Sequence, residues 1–290
     1  MTYELAIGDR TYSSWSLRGW LLFETFGLPV RVRSARMYSD GFRDLLADFP
    51  PARLVPAMKM PEGDIVWDSM AMAETLAERH PDIPFWPRDR QTRAMARAIS
   101  AEMHSGFTAL RSACTMNLRC SFDGFTADKA VMGDVERIET LWQMFRDGSG
   151  AAGPWLFGAW SLADVFYAPV ATRIATYRLP VGPVAAEYVA AHLANPAFRR
   201  WRAMGIAENF IQPGYDPDLP EMPWPGPAPL AAKAVDTGRP ENATCPYSGR
   251  PVSDLMAVDG RIFGFCNPFC RDKTVADPMA WPAFAAIYQK

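Results

Sequence analysis

The sequence predicts an α/β N-terminal domain, an all-helical domain after it, and a small α+β appendage at the end. Three observations carry this. The first 80 residues read strand–helix–strand, loop, strand–strand–helix. From Asp89 to about Ile206 apolar residues recur at helical spacing. Beyond a proline-dense stretch, three cysteines stand as Cys245-x20-Cys266-x3-Cys270.

In chain order, Tyr3, Leu5 and Ile7 alternate with Glu4 and Ala6, a strand that Gly8-Asp9 breaks. Thr11-Tyr12-Ser13-Ser14-Trp15-Ser16-Leu17-Arg18 follows, and Leu17, Trp20, Leu21 and Glu24 keep helical spacing up to Gly27 and Pro29. The serines therefore stand at the first turn of a helix, where unpaired N–H groups and the dipole favour a negative charge such as a thiolate. The other reading is a plain N-cap, the commonest task of serine there. Leu28–Arg33 reads as a second strand, parallel to the first through a right-handed crossover. Ser39–Pro51 is poorly patterned and reads as a loop. Arg53–Met58 and Ile65–Trp67 form a hairpin across Pro61–Asp64, and Asp68-Ser69 opens a helix to about Arg79, with Ser69 as cap and His80-Pro81 as stop.

Ala94, Ala98, Ala101 and Ser105, with Ile99 and Met103, predict one long helix through about Arg111. Val131, Val135, Ile138, Leu141, Trp142 and Phe145 predict another, ended by Gly148–Pro154. Ser161-Leu162-Ala163-Asp164 opens a further helix in a capping-box pattern, read as structural, and Val184–Leu193 and Pro196–Met204 complete the helical domain. Eight prolines between Ile211 and Pro240 exclude a helix and predict an extended arm with its aromatics, Tyr215 and Trp224, against the body. A knuckle at Cys245, a hairpin, and Cys266 and Cys270 on the first turn of a helix would bring three sulfurs to one point, a donor set that suits zinc.

Composition sets the limits. With 290 residues, 49% hydrophobic and 21% charged, the chain has material for sizeable cores. A net charge of -2 and a pI near 6.0 give no attraction to nucleic acid or to an anionic membrane. No apolar run approaches the ~18 residues of a membrane span, and the first residues, with Glu4 and Asp9, lack the layout of a signal peptide. Five cysteines fit a reducing compartment better than a disulfide framework, so the expected location is cytoplasmic, with Cys114 and Cys120 as packing residues.

Taken together, the βαβ–ββα order, Ser13-Ser14-x-Ser16-x-Arg18, Val55-Pro56 before the third strand and Asp68-Ser69 at the last helix resemble the thioredoxin-like N-terminal domain of glutathione S-transferases, nearest to serine-type classes such as zeta. The resemblance covers nearly all of residues 1–208. It implies a glutathione-binding domain at 1–82, an all-helical domain at 89–208, a proline-rich arm at 209–242 and an appended module at 243–290. It also implies a homodimer and glutathione as co-substrate. The backbone of Val55 would pair with the cysteinyl unit, next to a cis Pro56, in the manner of an added strand. Ser69 and the helix start would take the γ-glutamyl carboxylate, and Asp68, shorter than the family's Glu or Gln, its ammonium.

The activating hydroxyl carries over to Ser13, with Ser14 beside it and Arg18 one turn on; which serine meets the sulfur stays open. Tyr12 is a lesser rival for that role and reads rather as a strand-end aromatic. Met103, His104, Phe107 and Arg111, with Asn117 and Arg119, lie on or after the helix that borders the cleft for a small apolar electrophile in such enzymes. The plainer reading of His104 is a core or surface histidine, and of the arginines ordinary surface charge. Trp15 replaces the small or cysteine residue common there in zeta enzymes, which weakens an isomerase reading.

The tail resembles TRASH and YHS-like treble-clef metal-binding modules. That implies Cys245, Cys266 and Cys270 as ligands, with zinc as the ion. Ser248 stands where a four-cysteine knuckle has its second thiol, and no histidine follows His192, so the fourth ligand is missing or water. The alternatives are a metal-free remnant for the tail and, for the whole chain, a non-catalytic scaffold or metal sensor.

Overall fold

Leu5, Ala6 and Ile7 are fully buried in strand β1 (Tyr3–Ile7), around which the first sheet of this computed structural model is built; the structure describes residues 2–149 and 153–290. The chain forms two units, residues 1–193 with 212–225, and residues 194–211 with 226–290.

In the first unit β1 is followed by α1 (Ser14–Glu24), β2 (Val30–Ser34), α2 (Asp40–Ala47), β3 (Ala57–Lys59), β4 (Ile65–Trp67) and α3 (Ser69–Arg79). The sheet order is β2-β1-β3-β4. Strand β1 runs parallel to β2, and β3 is antiparallel to both its neighbours. Leu5 thus stands opposite Val32 on one side and Met58 on the other. This is the predicted thioredoxin-like order, with three local differences. Strand β3 starts at Ala57 and not at Arg53, since Pro56 has no N–H for a ladder. The expected loop at Ser39–Pro51 holds α2, which Ser39 caps by accepting from the Phe42 N–H (3.2 Å), and Leu45 and Phe49 pack with Ala6 and Ala57. Helix α3 is capped by Asp68, which accepts from the Met70 N–H at 2.8 Å, whereas Ser69 is its first residue.

The helical part comprises α4 (Arg90–Ser105), α5 (Thr108–Ala113), α6 (Lys129–Ser149), α7 (Leu162–Thr176) and α8 (Pro183–Ala194), with β5 (Ser121–Phe122) between α5 and α6. Every residue of α7 is buried, which is why its sequence is apolar all round; it packs on α1 and α4. The single helix expected through Arg111 is broken. The Gly106 N–H closes on the Glu102 carbonyl at 2.8 Å, a Cβ at Gly106 would lie 2.6 Å from that oxygen, and Phe107 turns left-handed with φ 53°. Asp164 accepts from the Ser161 N–H at 2.8 Å, as the capping pattern predicts, and also from the Tyr188 hydroxyl at 2.8 Å. The helix stop expected at Gly148–Pro154 falls partly on residues 150–152, outside the described residues.

Residues 212–225 run back along the first unit as a strap. Their β6 (Glu221–Met222) pairs with β5, the Asn117 amide donates to the Asp216 carboxylate, and the Tyr215 ring meets Tyr12 edge-on at 5.4 Å. The aromatic contact expected of the arm is thus made by Tyr215.

The second unit contains α9 (Pro196–Ala207), the antiparallel sheet β7 (Ala232–Val235), β8 (Asp254–Val258) and β9 (Arg261–Phe265), then α10 (Pro268–Ala276), a 3-10 turn and α11 (Pro282–Tyr288). Strand β7 lies within the expected arm. Asp259-Gly260, both at positive φ, turn the β8–β9 hairpin. Helix α10 packs on α9, where Arg199 forks onto the Asp277 carboxylate at 2.8 and 2.7 Å. No helix among the described residues is long and apolar enough to cross a membrane.

Candidate functional site

At the start of α1 two adjacent serines do different things. Ser13 is the N-cap. Its Oγ accepts from the Ser16 N–H (3.3 Å) and donates to the Ser16 Oγ (2.7 Å), which in turn accepts from the Gly8 N–H (2.9 Å). Ser14 accepts from Nη2 of Arg173 at 3.3 Å, and its own proton is left for another acceptor.

Both serines line a cavity of about 580 Å³ in the first unit, a size suited to a small-molecule ligand. Val55, Pro56, Asp68 and Ser69 line it too, and the Val55–Pro56 bond is cis, as the resemblance implies. Helix α1 lies hard against this proline, since a Cβ on Gly19 would come within 2.5 Å of the Pro56 Cβ. The Ser69 hydroxyl is fully buried with no hydrogen-bond partner among the described residues, so it presents an unsatisfied donor at the cavity. Asp68 is occupied on both oxygens, by the cap of α3 and by Nε2 of His104 at 3.1 Å.

Of the four residues expected at the electrophile side, only Arg111 reaches the wall. Met103, His104 and Phe107 do not line the cavity, and neither does Arg18. Arg18 is 1% exposed, donates from Nη2 to the Met103 sulfur at 2.8 Å and lies over the Trp15 and Phe166 rings. Burial, with Arg173 and Arg111 nearby, pulls its guanidinium down to about 9. His104 packs edge-on against Trp15, and burial lowers its pKa even though Asp68 opposes the shift. Arg18 and His104 both pack against the Trp15 ring, apart from the cavity wall that Trp15 lines.

Arg173 is the cavity-wall residue that sequence reasoning missed. It lies in α7, and donates to the Cys114 carbonyl (2.8 Å), the Pro169 carbonyl (3.2 Å) and Ser14. Burial first, then Arg111, lowers it to about 10. Arg111 leans on Trp15 at 5.1 Å and donates to the His104 and Gly106 carbonyls. Among the described residues no carboxylate pairs with Arg111 or Arg173, so two guanidinium groups face the cavity without an ion-pair partner. The available signal was a single arginine in the apolar run Val165–Ile174. Tyr215 and Thr115 complete the wall, Thr115 donating to the Tyr215 carbonyl at 3.0 Å and Tyr215 meeting Tyr38 hydroxyl to hydroxyl at 3.3 Å. Burial pushes Tyr12, the rival activator, up to about 12.

The second candidate lies in the second unit. The sulfurs of Cys245, Cys266 and Cys270 lie within 4.8 Å of one another. Cys245 comes from a knuckle closed by the Gly249 N–H on its carbonyl (2.9 Å). Cys266 follows β9, and Cys270 sits in the first turn of α10, where its N–H is held by Asn267 (2.9 Å). Burial opposes charge on Cys245, but N–H groups of Tyr247 and Cys266 outweigh it and bring the thiol down to about 7. Burial pushes Cys270 up to about 11. These sulfurs fit a thiophilic cation in number, chemistry and spacing.

Comparison with known proteins bears on the first site. Residues 12–79 match the family described as "Glutathione S-transferase, N-terminal domain". The chain is similar to the probable maleylacetoacetate isomerase of Caenorhabditis elegans, 27% identical over 178 residues covering 60% of this chain and 79% of that one. It is similar to the rat maleylacetoacetate isomerase, 26% identical with the same coverage. Among solved structures, a glutathione transferase homologue from Burkholderia gl BGR1 with bound glutathione superposes with a TM-score of 0.55 at 22% identity, covering 71% of this chain and 99% of the other. A maleylacetoacetate isomerase from Anaeromyxobacter dehalogenans gives 0.50 at 24%, covering 76% and 94%. The fold is that of the glutathione S-transferases, a thioredoxin-like domain followed by a helical one.

Proposed function

We propose that this chain is a glutathione-using enzyme in which Ser14, backed by Arg173, holds the glutathione thiolate for attack on an electrophile bearing an anionic group. One observation carries the reading: a buried arginine without a carboxylate partner donates to a serine hydroxyl at a helix start, inside a cavity of suitable size. Glutathione would lie extended along Val55, with its γ-glutamyl carboxylate on the orphaned Ser69 hydroxyl and the first N–H groups of α3, and its ammonium toward Asp68. The thiol proton leaves to water. The Ser14 O–H, polarised by Arg173, and the helix dipole then stabilise the sulfur anion and lower the thiol pKa from its usual value of about 8.5.

The thiolate adds to an electron-poor carbon, forming the C–S bond, and the displaced electron pair leaves with the leaving group or delocalises into the electrophile. Arg111 and Arg173 favour a carboxylate-bearing electrophile over the small apolar one expected from sequence. They also favour, as a second reading, glutathione-dependent cis–trans isomerisation: addition turns a double bond into a rotatable single bond, and loss of the same thiolate restores it. Similarity to maleylacetoacetate isomerases supports this reading, although Trp15 narrows the space beside the serines.

The ultraviolet absorbance of bound thiolate tests the reading. We expect it to appear at neutral pH on adding glutathione to the wild-type protein, and Ser14→Ala to abolish it and cut turnover ~10²-fold or more. Glutathione that binds Ser14→Ala with its thiol fully ionised would overturn the assignment. The resemblance further supports a homodimer, and five free thiols a reducing, cytoplasmic location. Sedimentation and cell fractionation check both.

For the tail we infer a zinc-binding module held by Cys245, Cys266 and Cys270, on the convergence of their sulfurs. Bound there, zinc would cross-link the knuckle, the end of β9 and α10. About one zinc per chain is expected in purified protein and much less in Cys266→Ser; an undamaged protein free of metal would defeat it.

A further inference from the structure

The three cysteines leave one corner of a tetrahedron undefended. Among the described residues no other cysteine, histidine or carboxylate joins their cluster. The polar side chain beside the sulfurs is Ser248, which is exposed, and both functions of its hydroxyl are in use. The proton goes to the Cys266 sulfur at 3.2 Å, and the oxygen accepts from the Arg250 N–H at 3.3 Å. Asn267 adds a second donor to the same sulfur through Nδ2 at 3.3 Å. Ser248 and Asn267 thus serve as outer-shell donors that tune a thiolate, and a neutral alcohol is in any case a hard, weak donor beside three sulfurs. Cys245 is 2% exposed, whereas Cys266 and Cys270 are half-buried, so solvent reaches the cluster past these two, beside the exposed Ser248.

Closed four-ligand zinc sites are structural, and sites with three protein ligands keep a position that exchanges. We propose that the tail is an open three-thiolate site whose fourth position, beside Ser248, takes a small thiol from solution, so that the protein binds a metal–thiol adduct and not a bare structural ion. This rests on the metal-binding reading of the tail. A fourth sulfur fits the softness of the other three better than water does. The step is ligand exchange only: water leaves the cation, a thiol loses its proton to solvent, and its sulfur takes the place.

Cobalt(II) replacing zinc in the full-length protein reports the shell directly through its thiolate charge-transfer absorbance. β-Mercaptoethanol serves as the probe thiol. One cobalt per chain is expected, and titration with the thiol should raise the charge-transfer intensity saturably as three sulfurs become four. The Ser248→Cys variant should show the four-sulfur spectrum from the outset and not respond to added thiol. A charge-transfer band that is present in the wild type but unmoved by the thiol overturns the open position while leaving the metal site standing. No band at all, in protein that is folded by circular dichroism, overturns both.

Discussion

His192 shows how much one enclosed side chain can weigh. It is 1% exposed, boxed by Trp155, Trp160 and Tyr188, and among the described residues neither ring nitrogen has a partner, so burial drives its pKa to about 3. In the unfolded chain the ring takes a proton near pH 6.5. The folded state therefore binds fewer protons below that pH, and stability falls as pH drops from about 6.5 toward 3. We expect the melting temperature to decline over that window, and the decline to be shallower in His192→Phe; identical pH profiles would remove the histidine from the account. A second prediction separates the serines. Ser13→Ala should cost about 1 kcal/mol of stability, as loss of a cap does, yet leave thiol ionisation intact, the opposite of Ser14→Ala. The site was legible in sequence as far as hydroxyls at a helix start, Val55-Pro56 and Asp68-Ser69. The proposed preference for Ser14 over Ser13 was not, because it rests on Arg173, 159 residues away in the chain.

At the scale of elements, the contact of α1 with the loop before β3 positions the whole cavity floor. Gly19→Ala would put a methyl into Pro56 and should cost ~1–3 kcal/mol by overpacking. It should also weaken glutathione binding, measurable by calorimetric titration; unchanged affinity would show that the two elements adjust independently. The start of α7 is held by a carboxylate that burial raises to about 6, with four donors on it: the Leu156 and Ser161 N–H groups and the Ser161 and Tyr188 hydroxyls. Asp164→Ala orphans these donors and should lower the urea midpoint by an amount equivalent to about 3 kcal/mol. That cap could be read from Ser161-Leu-Ala-Asp164, since a capping box is local. Helix α2 could not, because Leu45 and Phe49 become apolar contacts only against Ala6 and Ala57, which arrive from other strands. The turn at Gly106-Phe107 was hidden likewise. Helical periodicity continues through it in sequence, and only the left-handed Phe107 redirects the chain into α5.

For the whole molecule, two compact units predict two calorimetric transitions, of which zinc at the proposed tail site would shift one. At 100 times its Kd, an ion bound only to the folded second unit adds about 2.7 kcal/mol to that unit. Equal shifts of both transitions would contradict the division. The strap at 212–225 carries a further consequence. It belongs to the first unit, yet in sequence it sits between the two segments of the second. A gene shortened after α9 would lose Tyr215 from the cavity wall and β6 from its pairing with β5, along with the cysteines. Ancestry should show it: variants that have shed the tail ought either to retain the chain through Pro225 or to carry a substitute for Tyr215.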